Sequence, residues 1–148
     1  MSLKERLTES MKEAMKAKDS LRLNAIRMVR TAIKNLEIEQ RGELDDQGVI
    51  GVLSSLSKQR KESAQVYREN NRPDLAEKEE LELAILQEFL PAQLSEGEIR
   101  TIIEEAVAET GAASIKEMGK VMKIVTKKTL GCADGRLVSQ LVKNRLTV

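Results

Sequence analysis

The chain contains no histidine and no tryptophan, and tyrosine, phenylalanine and cysteine occur once each. Without histidine there is no imidazole acid–base catalysis, no Ser-His-Asp triad and no His-ligated metal. The lone Cys132 excludes an intrachain disulfide, and no imidazole is available to activate its thiol. With so few aromatics, the core falls to Leu, Ile, Val, Met and Ala, which favours helix-on-helix packing over a sheet sandwich. No long uncharged apolar run is present. The start, MSLKERLTESMKEAM, has the pattern of a charged amphipathic helix. It is neither a secretory signal nor a membrane span. Cytoplasmic residence and no membrane partner are therefore expected.

What is present is charge, unevenly distributed. The total of +1 divides into three segments. Residues 1–73 carry 15 basic and 11 acidic side chains, residues 74–110 carry 2 and 11, and residues 111–148 carry 8 and 2. Local fields of opposite sign are expected even though the total nearly cancels. They suit either an anion-binding surface or solvated faces that attract one another. An apolar content of 41% over 148 residues is enough for a folded domain or two small helical lobes.

Apolar periodicity predicts helices throughout. Ser2 and Glu5 form an expected capping box ahead of a stripe of Leu3, Leu7, Met11 and Met15. After a break at Lys18-Asp19-Ser20, a helix over 21–40 is expected to bury Leu21, Ala25, Met28, Val29, Ala32 and Leu36, and Gly42 to end it. Arg27, Arg30, Lys34 and Arg41 fall within roughly 60° of one another on another side. A third helix over 47–70 has Val49, Ile50, Leu53 and Leu56 as core candidates. Its apolar side then thins, as in a helix that projects beyond its core. Pro73 suits the first turn of a fourth helix reaching about Leu90, with Leu75, Leu83, Leu86, Phe89 and Leu90 inward. The stretch from Leu90 to Leu94, around Pro91, is the expected boundary. Beyond it, Ser95 with Glu98 and Ser114 with Glu117 are capping boxes, Gly111 and Gly131 are helix ends, and Asp134 starts the last helix. The expected fold is all-α, with a larger N-terminal bundle over 1–93 and a small three-helix lobe over 94–148.

Lys116, Lys120, Lys123 and Lys127 recur at spacings of four, three and four, which aligns them along one helical face. Lysines on mobile stems suit diffuse neutralisation of phosphates more than fixed catalytic geometry. The same stripe is also what a solubilising face looks like. In GCADGR, Gly131 and Gly135 relieve the backbone, Asp134 is a cap or a base, and Arg136 follows. The P-loop order is absent. Lys58, Arg60, Lys61, Arg68 and Arg72 make a second basic region around Tyr67, which either stacks on a base or packs at a core edge. With Arg27, Arg30 and Lys34 they form a secondary basic surface. Glu79, Glu80 and Glu82 fit a helix terminus better than a metal site, since no second ligand cluster accompanies them. No metal, cofactor or catalytic residue is expected.

Three stretches carry a resemblance: SKQRKESAQVYRENNRPDLAEKEELELAILQEFLPAQLSEGEI over 57–99, MGKVM over 118–122, and GCADGRLVSQLV over 131–142. Through them the chain resembles the YqeY-like proteins of the GatB/YqeY family over nearly its whole length. The resemblance implies an all-helical, two-lobed protein related to the tail of the B subunit of the aminoacyl-tRNA amidotransferase, a tail associated with tRNA recognition. That enzyme amidates glutamate on tRNA(Gln) or aspartate on tRNA(Asn). Its chemistry resides in the catalytic portion that precedes the tail, with ammonia from a separate glutaminase. A carbon–nitrogen ligase association with glutamine as amido donor thus comes without independent catalysis. Carried onto this chain, the resemblance points to Lys120, Lys123, Gly131, Asp134, Gly135 and Arg136 as RNA-facing, and Lys116 and Lys127 extend that face by geometry. The expected function is a noncatalytic tRNA-binding or transamidation-associated module, with tRNA and a protein of aminoacyl-tRNA metabolism as candidate partners. The alternative is a protein-interaction adaptor that binds no RNA.

Overall fold

The computed structural model describes residues 1–147, among which the chain forms seven α-helices and one 3-10 turn. Val148, the last residue of the expected C-terminal lobe, lies outside the described residues. The fold is all-α and divides into two compact units, Met1–Leu90 and Pro91–Val148. The first is the larger bundle and the second a three-helix lobe.

The N-terminal unit contains α1 (Leu3–Lys16), α2 (Ser20–Gln40), α3 (Asp46–Glu69) and α4 (Pro73–Gln87). Oxygen-bearing side chains start the first three. Ser2 accepts from the Glu5 amide at 3.2 Å, Asp19 from Arg22 at 3.2 Å and Asp45 from Gly48 at 2.8 Å. Each satisfies an amide that the helix itself leaves unpaired. Pro73 occupies the first turn of α4, where its missing N–H costs nothing. At the end of α2 the left-handed residue is Arg41 (φ 56°), not the expected Gly42. The Gly42 amide instead donates to the Glu37 carbonyl at 3.1 Å, closing a Schellman-type end.

Leu7, Ile26, Val29, Val49 and Leu53 are fully buried and form the centre of this unit. The inward faces of α1 and α2 differ from those expected. Ser10 and Ala14 face inward, while Met15 is 50% exposed. On α2, Ile26 and Ile33 are buried and Met28 is 45% exposed. Apolar residues occupy more than one side of α2, so the 3.6-residue period admits two registers. The stiff isoleucines fill the interior, and the flexible methionine is left at its edge. The second half of α3 does not project alone: α4 folds back along it, with Ala64 and Ala76 buried between them.

The C-terminal unit contains α5 (Glu96–Thr110), a 3-10 turn (Ile115–Glu117), α6 (Met118–Thr129) and α7 (Gly135–Leu146). The Ser95–Glu98 capping box is complete, at 3.2 and 3.1 Å, and Gly111 closes α5 at φ 68°. The expected box at Ser114 does not form. Glu117 instead accepts from the Ala113 amide at 3.2 Å, and the 3-10 turn replaces the first turn of the expected helix. Ile99, Ile103, Val121, Val125, Val138 and Val142 meet in one buried cluster.

Several carboxylates sit below the usual carboxylate range. Glu37 is held down by the hydrogen bond from Lys4 and then by the Leu44 amide. Asp74 is lowered by Arg72, Glu80 by Arg68, and Glu98 by the Ser95 amide. Each binds its proton less tightly folded than unfolded. The stabilisation is therefore complete above the unfolded pKa and is lost as pH falls through the depressed folded value. The melting temperature is expected to be flat between about pH 6 and 8 and to drop below about pH 4. A melting temperature that rises on acidification would contradict this.

Candidate nucleic-acid interface

Helix α6 has two distinct sides. Val121, Val125 and Thr129 point into the lobe, and the Thr129 hydroxyl donates to the Val125 carbonyl at 2.8 Å. Lys120, Lys123 and Lys127 are exposed on the opposite face, and Lys116 is exposed on the preceding 3-10 turn. Lys128, absent from the sequence-derived set, is exposed beside Lys127. Among the described residues none of these five lysines enters an ion pair.

The helix dipole separates these lysines into two groups. Lys127 and Lys128 lie in the last turn of α6, where a cation is favourable by about 0.3–1 kcal/mol. Their presence needs no ligand. Lys120 lies in the first turn, where the dipole disfavours positive charge, and Lys116 precedes the helix on the 3-10 turn. Glu117 is the N-cap residue of α6 and no acidic residue follows it in the first turn, whereas α5 begins with Glu96 and Glu98. Local helix stability thus accounts for the lysines at the C-terminal end and opposes Lys120 at the start.

The turn between α6 and α7 is fastened to the segment that enters the lobe. The Gln93 side-chain amide donates to the Gly131 carbonyl at 2.8 Å, and the Leu94 amide donates to the Cys132 carbonyl at 2.8 Å. The Cys132 amide donates to the Thr129 carbonyl at 2.8 Å. Gly131 adopts φ 75°, a conformation that favours glycine, and is buried. Asp134 caps α7, accepting from the Arg136 amide at 3.0 Å. Asp134, Gly135 and Arg136 are at the surface, whereas Gly131 is inside. Sequence reasoning missed Gln93 and Leu94. A polar residue two positions after Pro91 was the only available signal. Gln93→Ala is expected to lower the stability of this lobe by roughly 1 kcal/mol. An unchanged thermal transition followed by helical circular dichroism would contradict that.

The secondary basic surface is not one free surface. Arg60 lies against two carboxylates of α4, with Nε 2.8 Å from Glu82 and 3.4 Å from Glu79. Arg68 makes a two-pronged pair with Glu80 at 2.7 and 2.8 Å, and Arg72 meets Asp74 at 3.2 and 3.3 Å. These bonds hold the Arg68 and Arg72 guanidiniums above their ordinary pKa. Lys58 and Lys61 are exposed on α3, and Arg27, Arg30 and Lys34 are exposed on α2. Arg30 also reaches the Met11 sulfur at 2.8 Å. Tyr67 is half-buried. In the C-terminal lobe, Arg145 is taken up by Glu104.

Glu79, Glu80 and Glu82, considered above as a terminal acidic run, are thus partners of arginines on α3. Among the described residues no group of three or more His, Cys, Asp or Glu is placed to hold a metal ion. Among them, too, no helix is long and apolar enough to cross a membrane.

The chain is similar to the protein named "Altered inheritance of mitochondria protein 41, mitochondrial" in several yeasts. It is 41% identical over 102 residues to that of Vanderwaltozyma polyspora, covering 67% of this chain and 55% of the relative. To that of Lachancea thermotolerans it is 40% identical over 107 residues, covering 70% and 57%. To that of Kluyveromyces lactis it is 41% identical over 87 residues, covering 58% and 47%. The chain thus spans about half the length of the curated relatives it matches. Their names overturn the expectation of cytoplasmic residence, since each is called mitochondrial. That expectation rested on excluding a secretory signal and a membrane span, and neither exclusion distinguishes between the remaining compartments. A family model described as "Yqey-like protein" matches residues 4–146, so the chain belongs to the YqeY-like family.

Proposed function

We propose that the chain is a noncatalytic tRNA-binding module associated with tRNA-dependent transamidation, and that the exposed face of α6 is where it meets RNA. One observation carries this assignment: Lys120 stands in the first turn of α6, outside any ion pair among the described residues and opposed by the helix dipole, with Lys116 exposed on the turn before it. Charge kept where it disfavours its own helix suits an external anion. Lys123 and Lys127 continue the same row, and Arg136 and the capped turn at Asp134 add surface groups in the same lobe. Flexible ammonium groups in a row match the spaced phosphates of an RNA backbone, and positioning through phosphates requires no base-specific pocket. In this assignment the chain holds tRNA, and a partner enzyme of aminoacyl-tRNA metabolism performs the amidation. The second basic region contributes less, because Arg60, Arg68 and Arg72 already have carboxylate partners.

The test is a titration of the purified protein with tRNA(Gln), a noncognate tRNA and duplex DNA. Binding selective for tRNA that weakens more than roughly tenfold between about 50 and 200 mM salt is expected. Equal, weak binding to all three would overturn the assignment and favour a protein adaptor.

A further inference from the structure

Gly119 stands within the lysine row, three residues after Lys116 and four before Lys123, a turn away from each along the exposed face. The fold gives no reason for a glycine there. Its φ is not positive, and a Cβ built at Gly119 meets nothing within 4 Å beyond its own helix. Three other glycines of the chain do have such a reason, whereas Gly42, Gly51 and Gly135 are as open as Gly119. At Gly48 a Cβ would lie 2.8 Å from Leu44 Cδ2, and Gly111 and Gly131 have positive φ. Glycine inside a helix is also the least favourable residue after proline. Gly119, the second residue of α6, therefore leaves bare helix surface beside the lysine row with no packing reason inside the lobe.

We propose that Gly119 is a close-approach position, where the sugar–phosphate backbone of an RNA strand lies against the bare helix while Lys116, Lys120 and Lys123 engage phosphates on either side. The proposal rests on the RNA-binding assignment above and deepens it. A side chain at 119 would hold the strand off the helix and lengthen the flanking lysine contacts. The position then selects for a thin, anionic strand rather than for any base sequence. Gly51 provides the comparison. It too lies inside a helix, α3, with nothing within 4 Å of an added Cβ, but it is not part of the lysine row.

The experiment compares the wild type with Gly119→Ala, Gly119→Gln, Gly51→Ala and the double variant Lys120→Glu/Lys123→Glu. Each is measured for melting temperature and for affinity towards tRNA and towards polyglutamate. Both alanine variants are expected to melt at or above the wild-type temperature, because alanine is the better helix former. Of the glycine variants, only those at Gly119 should bind tRNA more weakly, by roughly tenfold for alanine and more for glutamine. Wild-type tRNA binding that the lysine variant weakens but Gly119→Ala and Gly119→Gln leave unchanged would overturn this proposal alone. No tRNA binding by the wild type would overturn it together with the functional assignment. Polyglutamate bound as tightly as tRNA, and equally sensitive to Gly119→Ala, would overturn the RNA strand in favour of an acidic protein.

Discussion

The double variant Lys120→Glu/Lys123→Glu is expected to lose tRNA affinity by roughly 100-fold while melting no lower than the wild type. The two halves of this expectation have one origin. Reversal at 120 places negative charge in the first turn of α6, where the dipole favours it by about 0.3–1 kcal/mol. Reversal at 123 places an acid four residues before Lys127, the better orientation for a helical ion pair. Both changes improve the helix, and both repel phosphate. Neither side chain belongs to the buried face formed by Val121 and Val125. A solubilising face would respond differently, with little change in binding to any RNA. A melting temperature well below the wild type would instead assign these lysines to support of the fold.

Arg60→Ala is expected to destabilise the N-terminal bundle by about 3 kcal/mol, the largest single stability effect anticipated. The Arg60 and Glu82 side chains retain only 12% and 11% of their exposure, and Glu79 lies on the same guanidinium. Removing the cation leaves two carboxylates close together with little water, and the penalty of that stranded charge exceeds the net value of the pair. Arg60→Met combined with Glu82→Leu should recover much of the loss, because a buried pair replaced by apolar groups of similar volume is often neutral. Arg68→Ala, whose pair with Glu80 is half-solvated, should change stability far less. Urea unfolding of the three variants checks the order. An Arg60→Ala midpoint equal to that of Arg68→Ala would contradict it.

The contrast between these two groups of cations marks what the sequence makes legible. In α5, α6 and α7 most apolar residues keep one phase, with Leu137 of α7 37% exposed. Ile99, Ile103, Val121, Val125, Val138 and Val142 could therefore be assigned inward from periodicity alone. Ser95 with Glu98 was equally readable, because local side chains complete the box. The face of α2 was not, since Ile26 and Met28 lie roughly 160° apart around the helix and either side offers apolar residues to the interior. The pairing of Arg60 with Glu82 was hidden for another reason. Charges on α3 and α4 carry no periodic signal of their partner, so a neutralised seam reads in the sequence as a basic region followed by an acidic one. The lysine row of α6 was legible as a row. That Lys120 opposes the helix dipole emerged only once the 3-10 turn fixed where α6 begins. The clamp from Gln93 to Gly131 joins residues 38 apart and has no local signature.

The most direct measurement is lysine acetylation by a limiting reagent, followed residue by residue by mass spectrometry with and without tRNA. Lys12 and Lys16, exposed on α1 and outside the proposed surface, serve as internal references. Slower acetylation at Lys116, Lys120 and Lys123 in the presence of tRNA, with Lys12 and Lys16 unchanged, is the predicted result. Equal acetylation of all five with and without tRNA, at concentrations where the RNA is bound, would contradict the claim that this face of α6 meets RNA.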